Sequence, residues 1–185
     1  MSAESLRESC SDLTMPVAER DHVQGSRSAP VMLVEYGDYE CPDCLNAWPV
    51  VQGVRDALGD RVAIVFRHFP QSSIHPNASF AAQAAEAAAA QGKFWEMHDR
   101  LFRNRKELGS LDLTHVALQL GLEIYSFDTT LELTSTLRRI KEDFDSAQAS
   151  GVKGTPTFFI NGCRYRGAVD VKSLVSEIKS YLNES

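Results

Sequence analysis

The 185-residue chain is predicted to fold as one α/β domain. A strand–helix–strand unit and a strand–strand–helix unit flank an all-helical insertion. Three observations lead there. "APVMLVEYG" (29–37) and "RVAIVFRHFP" (61–70) are apolar runs rich in Val, Ile and Phe, suited to buried strands and separated by one helix. From Asn77 to Ser150 the patterning is helical almost throughout. The pattern then returns to strand at "TFFINGCRYRG", where Asn161-Gly162 joins two short runs and gives a strong hairpin signal.

The elements follow in order. Residues 1–21 are polar and acidic and read as a loosely held tail, with a short strand at Leu13–Val17; the domain proper spans 22–185. The run at 29–37 is a central strand ended by Gly37. A helix then starts at the cysteines and runs to about Leu58, where Gly59-Asp60 stops it. With the strand at 61–70 this makes a parallel pair with a right-handed crossover.

The insertion covers about 76–150. "ASFAAQAAEAAAAQG" is rich in the best helix former and stops at Gly92. "KFWEMHDRLFRN" places Phe94, Met97 and Leu101 on one helical face. "LDLTHVALQLG" is a third helix capped at Asp112, and about 126–149 is a fourth, whole or broken. "DVKSLVSEIKSYL" closes the chain as an amphipathic helix with Asp170 as N-cap.

Composition narrows the function classes. Hydrophobic residues make up 43% and charged residues 24%, as in soluble globular proteins. A net charge of −6, with no Lys/Arg cluster, argues against nucleic-acid binding. No apolar run reaches the ~18 residues of a membrane span, so no membrane partner is expected. The N-terminus lacks the apolar core of a secretory signal, and a cytoplasmic chain is expected. Four cysteines are too few for a disulfide scaffold.

The chemistry-bearing stretch is "VEYGDYECPDCLNAWP" (34–49). On the first turn of a helix, Cys41 meets unpaired N–H groups and the positive end of the dipole, which favour its thiolate. Cys44, one turn on, is placed to attack a mixed disulfide formed on Cys41. Pro42 suits the first helical position, where its missing N–H costs nothing. Thiolate attack, mixed disulfide and resolution by the neighbour is thiol–disulfide exchange. Structural zinc requires four ligands, and Cys10 and Cys163 are isolated from the pair and expected to be free thiols, so no metal is expected.

Over residues 22–185 the chain resembles the thioredoxin superfamily, most closely its DsbA-like branch. The resemblance rests on the C-P-D-C motif with Glu35 six residues before Cys41, on Pro49 eight residues after it, on "GVKGTPTFFING", and on the helical insertion. It implies a thioredoxin fold and a protein thiol–disulfide oxidoreductase without a bound cofactor. Its partners are protein or peptide thiols and disulfides and an unidentified electron-transfer partner. It makes Cys41 the nucleophile, Cys44 the resolving thiol, and Glu35 a buried acid that relays protons to Cys44. Pro156 would be the cis-proline that, with Thr155, offers a peptide-binding edge; Tyr39 is placed to line the same groove. Trp48, Trp95 and Phe94 read as core, and His68 and His75 as structural.

Asp43 departs from the family, whose most oxidising members carry histidine there. A carboxylate beside both cysteines is expected to oppose the Cys41 thiolate. The potential would then lie nearer that of thioredoxin, at about −270 mV with a thiol pKa near 7, than that of DsbA, at about −120 mV with one near 3.5. In a cytoplasmic setting the direction would be reduction or isomerisation, although sequence leaves direction open. Two other classes stay open as well. One is a peptide-binding, chaperone-like protein without redox turnover. The other is the glutathione-dependent DsbA-related transferase and isomerase branch, whose members typically lack the second cysteine.

Overall fold

The structure is a computed structural model that describes residues 11–104, 108 and 113–183. Five strands form one mixed sheet: β1 (His22–Gln24), β2 (Val31–Gly37), β3 (Val62–His68), β4 (Thr157–Ile160) and β5 (Cys163–Arg164), in the order β1-β3-β2-β4-β5. The central strands β2 and β3 are parallel, with Val31 opposite Val62 and Gly37 opposite His68. All other pairings are antiparallel. The helices are α1 (Pro42–Leu58), α2 (Ala78–Ala89), α3 (Phe94–Arg103), α4 (Leu113–Gln119), α5 (Ile124–Leu131), α6 (Thr134–Ala149) and α7 (Val171–Asn183).

Alternation along β2 sorts its side chains to two cores. Val31 and Leu33 pack on Ala47, Val51 and Val54 of α1 and on Leu174 and Ile178 of α7. Val34 and Tyr36 face the other way, onto Ala147 of α6 and Phe159 of β4. A third core, built from α2–α5, gathers at the end of β2 and β3 around Tyr39 and Phe66 and reaches both Cys41 and Cys44. The insertion therefore packs directly against the dithiol.

The hairpin, the C-terminal helix and the strand–helix–strand unit form where the sequence places them. Asn161 and Gly162 take positive φ values of 47° and 88°, as a two-residue hairpin turn requires. Asp170 Oδ1 accepts the Ser173 N–H at 2.8 Å. The fourth insertion helix is broken into α5 and α6 at Glu132-Leu133, and α5 starts at Ile124 because Glu123 caps it, accepting the N–H groups of Tyr125 and Ser126. Asp112, the expected cap of α4, lies outside the described residues.

Three expectations need correction. Leu13–Val17 is not a strand. Pro16 interrupts the run, and the carbonyls of Met15 and Pro16 accept from the guanidinium of Arg67 at 2.8 and 3.1 Å instead of joining a ladder. The first strand is His22–Gln24. Nor are residues 11–21 loose. Leu13 is buried and donates its N–H to Gly162 O at 2.9 Å, and Asp21 forms a fully buried ion pair with Arg67. Finally, Cys163 is disulfide-bonded rather than free. Nearby, the Arg164 N–H donates to Asp12 Oδ2 at 3.0 Å and ties the described N-terminal residues to the hairpin. Cys10 lies outside the described residues.

Candidate active site

The site begins where β2 ends. Gly37 is required there, because a Cβ would come within 2.4 Å of the Phe66 ring. Asp38-Tyr39-Glu40 then turns the chain, and Cys41 becomes the N-cap of α1 with Pro42 at its first position. Cys41 donates its backbone N–H to Asp38 O at 3.1 Å. Its Sγ lies 3.3 Å from Thr155 O, and the Thr155–Pro156 peptide bond is cis. Both residues are half-buried. The structure thus brings Thr155 and Pro156 to Cys41 across a sequence gap of more than a hundred residues.

Electrostatics separate the two thiols. The Cys41 thiol is pulled down to about 5: a hydrogen bond from Cys44 is the largest cause, and it outweighs burial with help from Thr155 and the backbone N–H groups of Cys44 and Asp43. Cys44, fully buried, is pushed well above its ordinary value by burial, by its hydrogen bond to Cys41, and by the nearby Glu35 and Cys41 charges. The Asp38 N–H points at Cys44 Sγ from 3.5 Å. One thiol is thus a thiolate at neutral pH and the other a protonated reserve.

Glu35 lies on the α1-facing row of β2 and is only 3% exposed. Its Oε1 has no hydrogen-bond partner among the described residues. Burial, reinforced by the Cys41 charge, raises its pKa to about 8.

One expectation about the site is overturned. Tyr39 does not line a groove. It is 1% exposed, packs on Phe66 and Phe102 with ring centroids 5.2 and 5.0 Å away, and meets His98 Nδ1 through its hydroxyl at 3.1 Å. Its side chain turns under the strand end into the insertion core. The Asp43 carboxylate is exposed, and what Asp43 gives Cys41 is a backbone N–H that favours the thiolate.

One network was not anticipated. Asp38 is buried; Oδ1 accepts Glu40 N–H at 2.8 Å, and Oδ2 accepts Gln71 N–H at 2.9 Å and lies 2.8 Å from His75 Nδ1. Gln71 Nε2 donates on to Thr155 Oγ1 at 3.3 Å. Asp38 thereby ties the cysteine loop to the loop after β3, and through it to Thr155. The only sequence signal was an acid directly after a strand, which is also what an ordinary turn shows. His75, read as structural, is part of this anchor.

The thioredoxin family model matches residues 17–180, and the chain belongs to that family. Its fold is that of the DsbA-like members, and such proteins are of the oxidoreductase class. A thioredoxin-like oxidoreductase from Silicibacter pomeroyi is similar over 91% of this chain and 95% of its own, at 27% identity and a TM-score of 0.75. The thiol-disulfide exchange protein alpha-DsbA2 from Wolbachia pipientis shares the fold at 18% identity, with a TM-score of 0.78 over 88% of this chain and 87% of its own. By sequence, the chain is 46% identical over 172 residues to a Na(+)/H(+) antiporter NhaA 3 of Salinispora tropica. That match covers 91% of this chain but 26% of the relative, so the chain spans about a quarter of that protein's length.

Proposed function

We propose that the chain is a protein thiol–disulfide oxidoreductase acting through Cys41 and Cys44. The observation that carries this reading is the split between a Cys41 thiolate titrating at about 5 and a buried, protonated Cys44 beside it. In the reducing direction, the Cys41 thiolate attacks one sulfur of a protein disulfide. A Cys41–substrate bond forms, the substrate S–S bond breaks, and the departing thiolate takes a proton from solvent. That step removes the Cys41 charge, one of the two causes holding Glu35 protonated. Glu35 then gives its own proton to solvent and takes the Cys44 proton, directly or through water. The Cys44 thiolate attacks Cys41 Sγ, the Cys41–substrate bond breaks as the intramolecular disulfide closes, and the departing substrate thiolate takes a proton from Glu35 or solvent. The oxidising direction is the reverse.

A thiol near 5 lies between the values of thioredoxin and DsbA. At about 30 mV per pKa unit, the proposed potential is on the order of −200 mV, more oxidising than the sequence suggested. The disulfide at Cys163 supports an oxidising compartment over the cytoplasm, because structural disulfides are rare where glutathione keeps thiols reduced. Protein harvested from cells under thiol-blocking conditions is then expected to show no reactive thiol at Cys163; a blocked Cys163 thiol restores the cytoplasmic reading.

Cys41→Ser is expected to abolish reduction of insulin disulfides. Cys44→Ser is expected to accumulate mixed disulfides on Cys41. Turnover that survives Cys41→Ser would overturn the mechanism.

A further inference from the structure

Beside Phe66, three side chains from three elements converge. His22 comes from edge strand β1, His68 from the end of β3 and Glu86 from α2. Both imidazole Nε2 atoms lie 2.8 Å from the same carboxylate oxygen, Glu86 Oε1, and the three ligand atoms fall within 4.8 Å of one another. We propose that His22, His68 and Glu86 form a binding site for a divalent first-row cation, with zinc the best match, independent of the redox reading.

The donor set is two imidazoles and one carboxylate, a combination that holds zinc with a position left for water. Zinc sits about 2.0–2.1 Å from such atoms, so tetrahedral ligands stand roughly 3.3 Å apart. Each N–O separation therefore opens by about 0.5 Å, within the reach of small side-chain rotations. The rings are held in place. His22 stacks on Phe94 with centroids 3.6 Å apart, and His68 meets Phe66 edge-on at 5.6 Å. The backbone N–H of His68 is fixed by Asp143 Oδ2 at 3.0 Å.

The surroundings leave the cluster free to act. Tyr39 and His98, the nearest polar rings, bond each other at 3.1 Å and do not compete for Glu86. Phe66 and Phe94 wall the inner side. His22 is 17% exposed, which gives an ion its entry and a water its place. On binding, each imidazole releases its Nε2 proton to solvent and the carboxylate oxygen exchanges two N–H donors for the cation. The bound ion would clamp the edge of the sheet to the insertion.

The competing description is a hydrogen-bonded ion network and nothing more, and the experiment must separate the two. The full chain, free of purification tags and with Cys41 and Cys44 closed as a disulfide, is equilibrated with zinc and cleared of unbound metal. One zinc per chain is expected by elemental analysis. His22→Gln and Glu86→Gln are each expected to weaken binding about tenfold or more. Zinc is expected to raise the thermal midpoint of the wild type but not of His22→Gln. X-ray absorption on the zinc-loaded wild type, which requires no variant to fold, is expected to show two imidazoles and oxygen without sulfur. Failure to retain zinc, retention unaffected by either variant, or sulfur in the shell overturns the proposal.

Discussion

Two glutamates are buried beside the same aromatic core, and their surroundings treat them in opposite ways. Glu35 is 3% exposed and Glu86 9%. Burial alone raises both. For Glu35 nothing reverses it, because its only charged neighbour of consequence is another anion, Cys41, and its pKa rises to about 8. For Glu86, hydrogen bonds and charge from His22 and His68 more than reverse it, and the carboxyl is held well below the usual range. Low dielectric therefore does not decide a buried acid's state by itself; the sign of the partner does. One acid is left able to accept or release a proton near neutral pH, and the other is fixed as an anion that joins sheet and insertion.

The largest test of this contrast removes the fixed anion. Glu86→Leu leaves the buried His68 and the half-buried His22 imidazoles facing an apolar side chain. It is expected to cost roughly 3–5 kcal/mol in urea unfolding with a chelator present, the usual penalty for breaking one side of a buried charged network. A cost below about 1 kcal/mol would mean that Glu86 resembles a surface carboxylate.

Glu35 carries the opposite sign. Its folded pKa, about 8, lies above the unfolded value of 4.5. Between those values the native chain holds a proton that the unfolded chain has lost, so stability falls as pH rises through that window. With the dithiol oxidised, Cys41 neither titrates nor adds its charge, so the window narrows to what burial alone sets; Glu35→Gln is expected to abolish the slope that remains. It should be more stable than wild type by about 2–4 kcal/mol at pH 8.5, with little difference near pH 4.5. Parallel pH profiles for the two proteins would show that Glu35 takes up no proton on folding.

A third buried carboxylate, Asp38, is an intermediate case. Backbone N–H groups and His75 partner it, rather than an anion or a pair of histidines. Asp38→Ala orphans two of those N–H donors. It is expected to cost about 1–3 kcal/mol and to move the midpoint of Cys41 alkylation upward from about 5, as the loop that aims the helix N-terminus loosens. An unchanged midpoint would confine Asp38 to stability alone.

These carboxylates also show what the sequence could and could not tell. Cys41, Cys44 and Glu35 were legible because spacing along one helix turn and one strand fixes where such residues point, and the hairpin and closing helix were legible from local turn and cap chemistry. Glu86 sits in an alanine-rich helical run where nothing local sets it apart. What makes it an anion is two histidines 64 and 18 residues away, a coincidence of tertiary packing that no local pattern encodes. Tyr39 failed for the same reason, since proximity to Cys41 in sequence says nothing about which way the strand end throws the ring. The disulfide at Cys163 is a tertiary contact that composition does not reveal.

The smallest expected effect belongs to the carboxylate closest to the thiols in sequence. Asp43 lies between Cys41 and Cys44 in the chain, yet its side chain is exposed, so water and salt screen its charge where they cannot screen Glu35. Its backbone N–H favours the thiolate, and that contribution survives any change of side chain. Asp43→His is therefore expected to lower the Cys41 midpoint by less than about one pKa unit and to raise the potential by no more than about 30 mV, with the difference shrinking further at high ionic strength. Equilibration with glutathione at low and high salt measures both. A rise above about 60 mV that persists at high salt would show that a surface charge governs the dithiol, and that the buried acids do not.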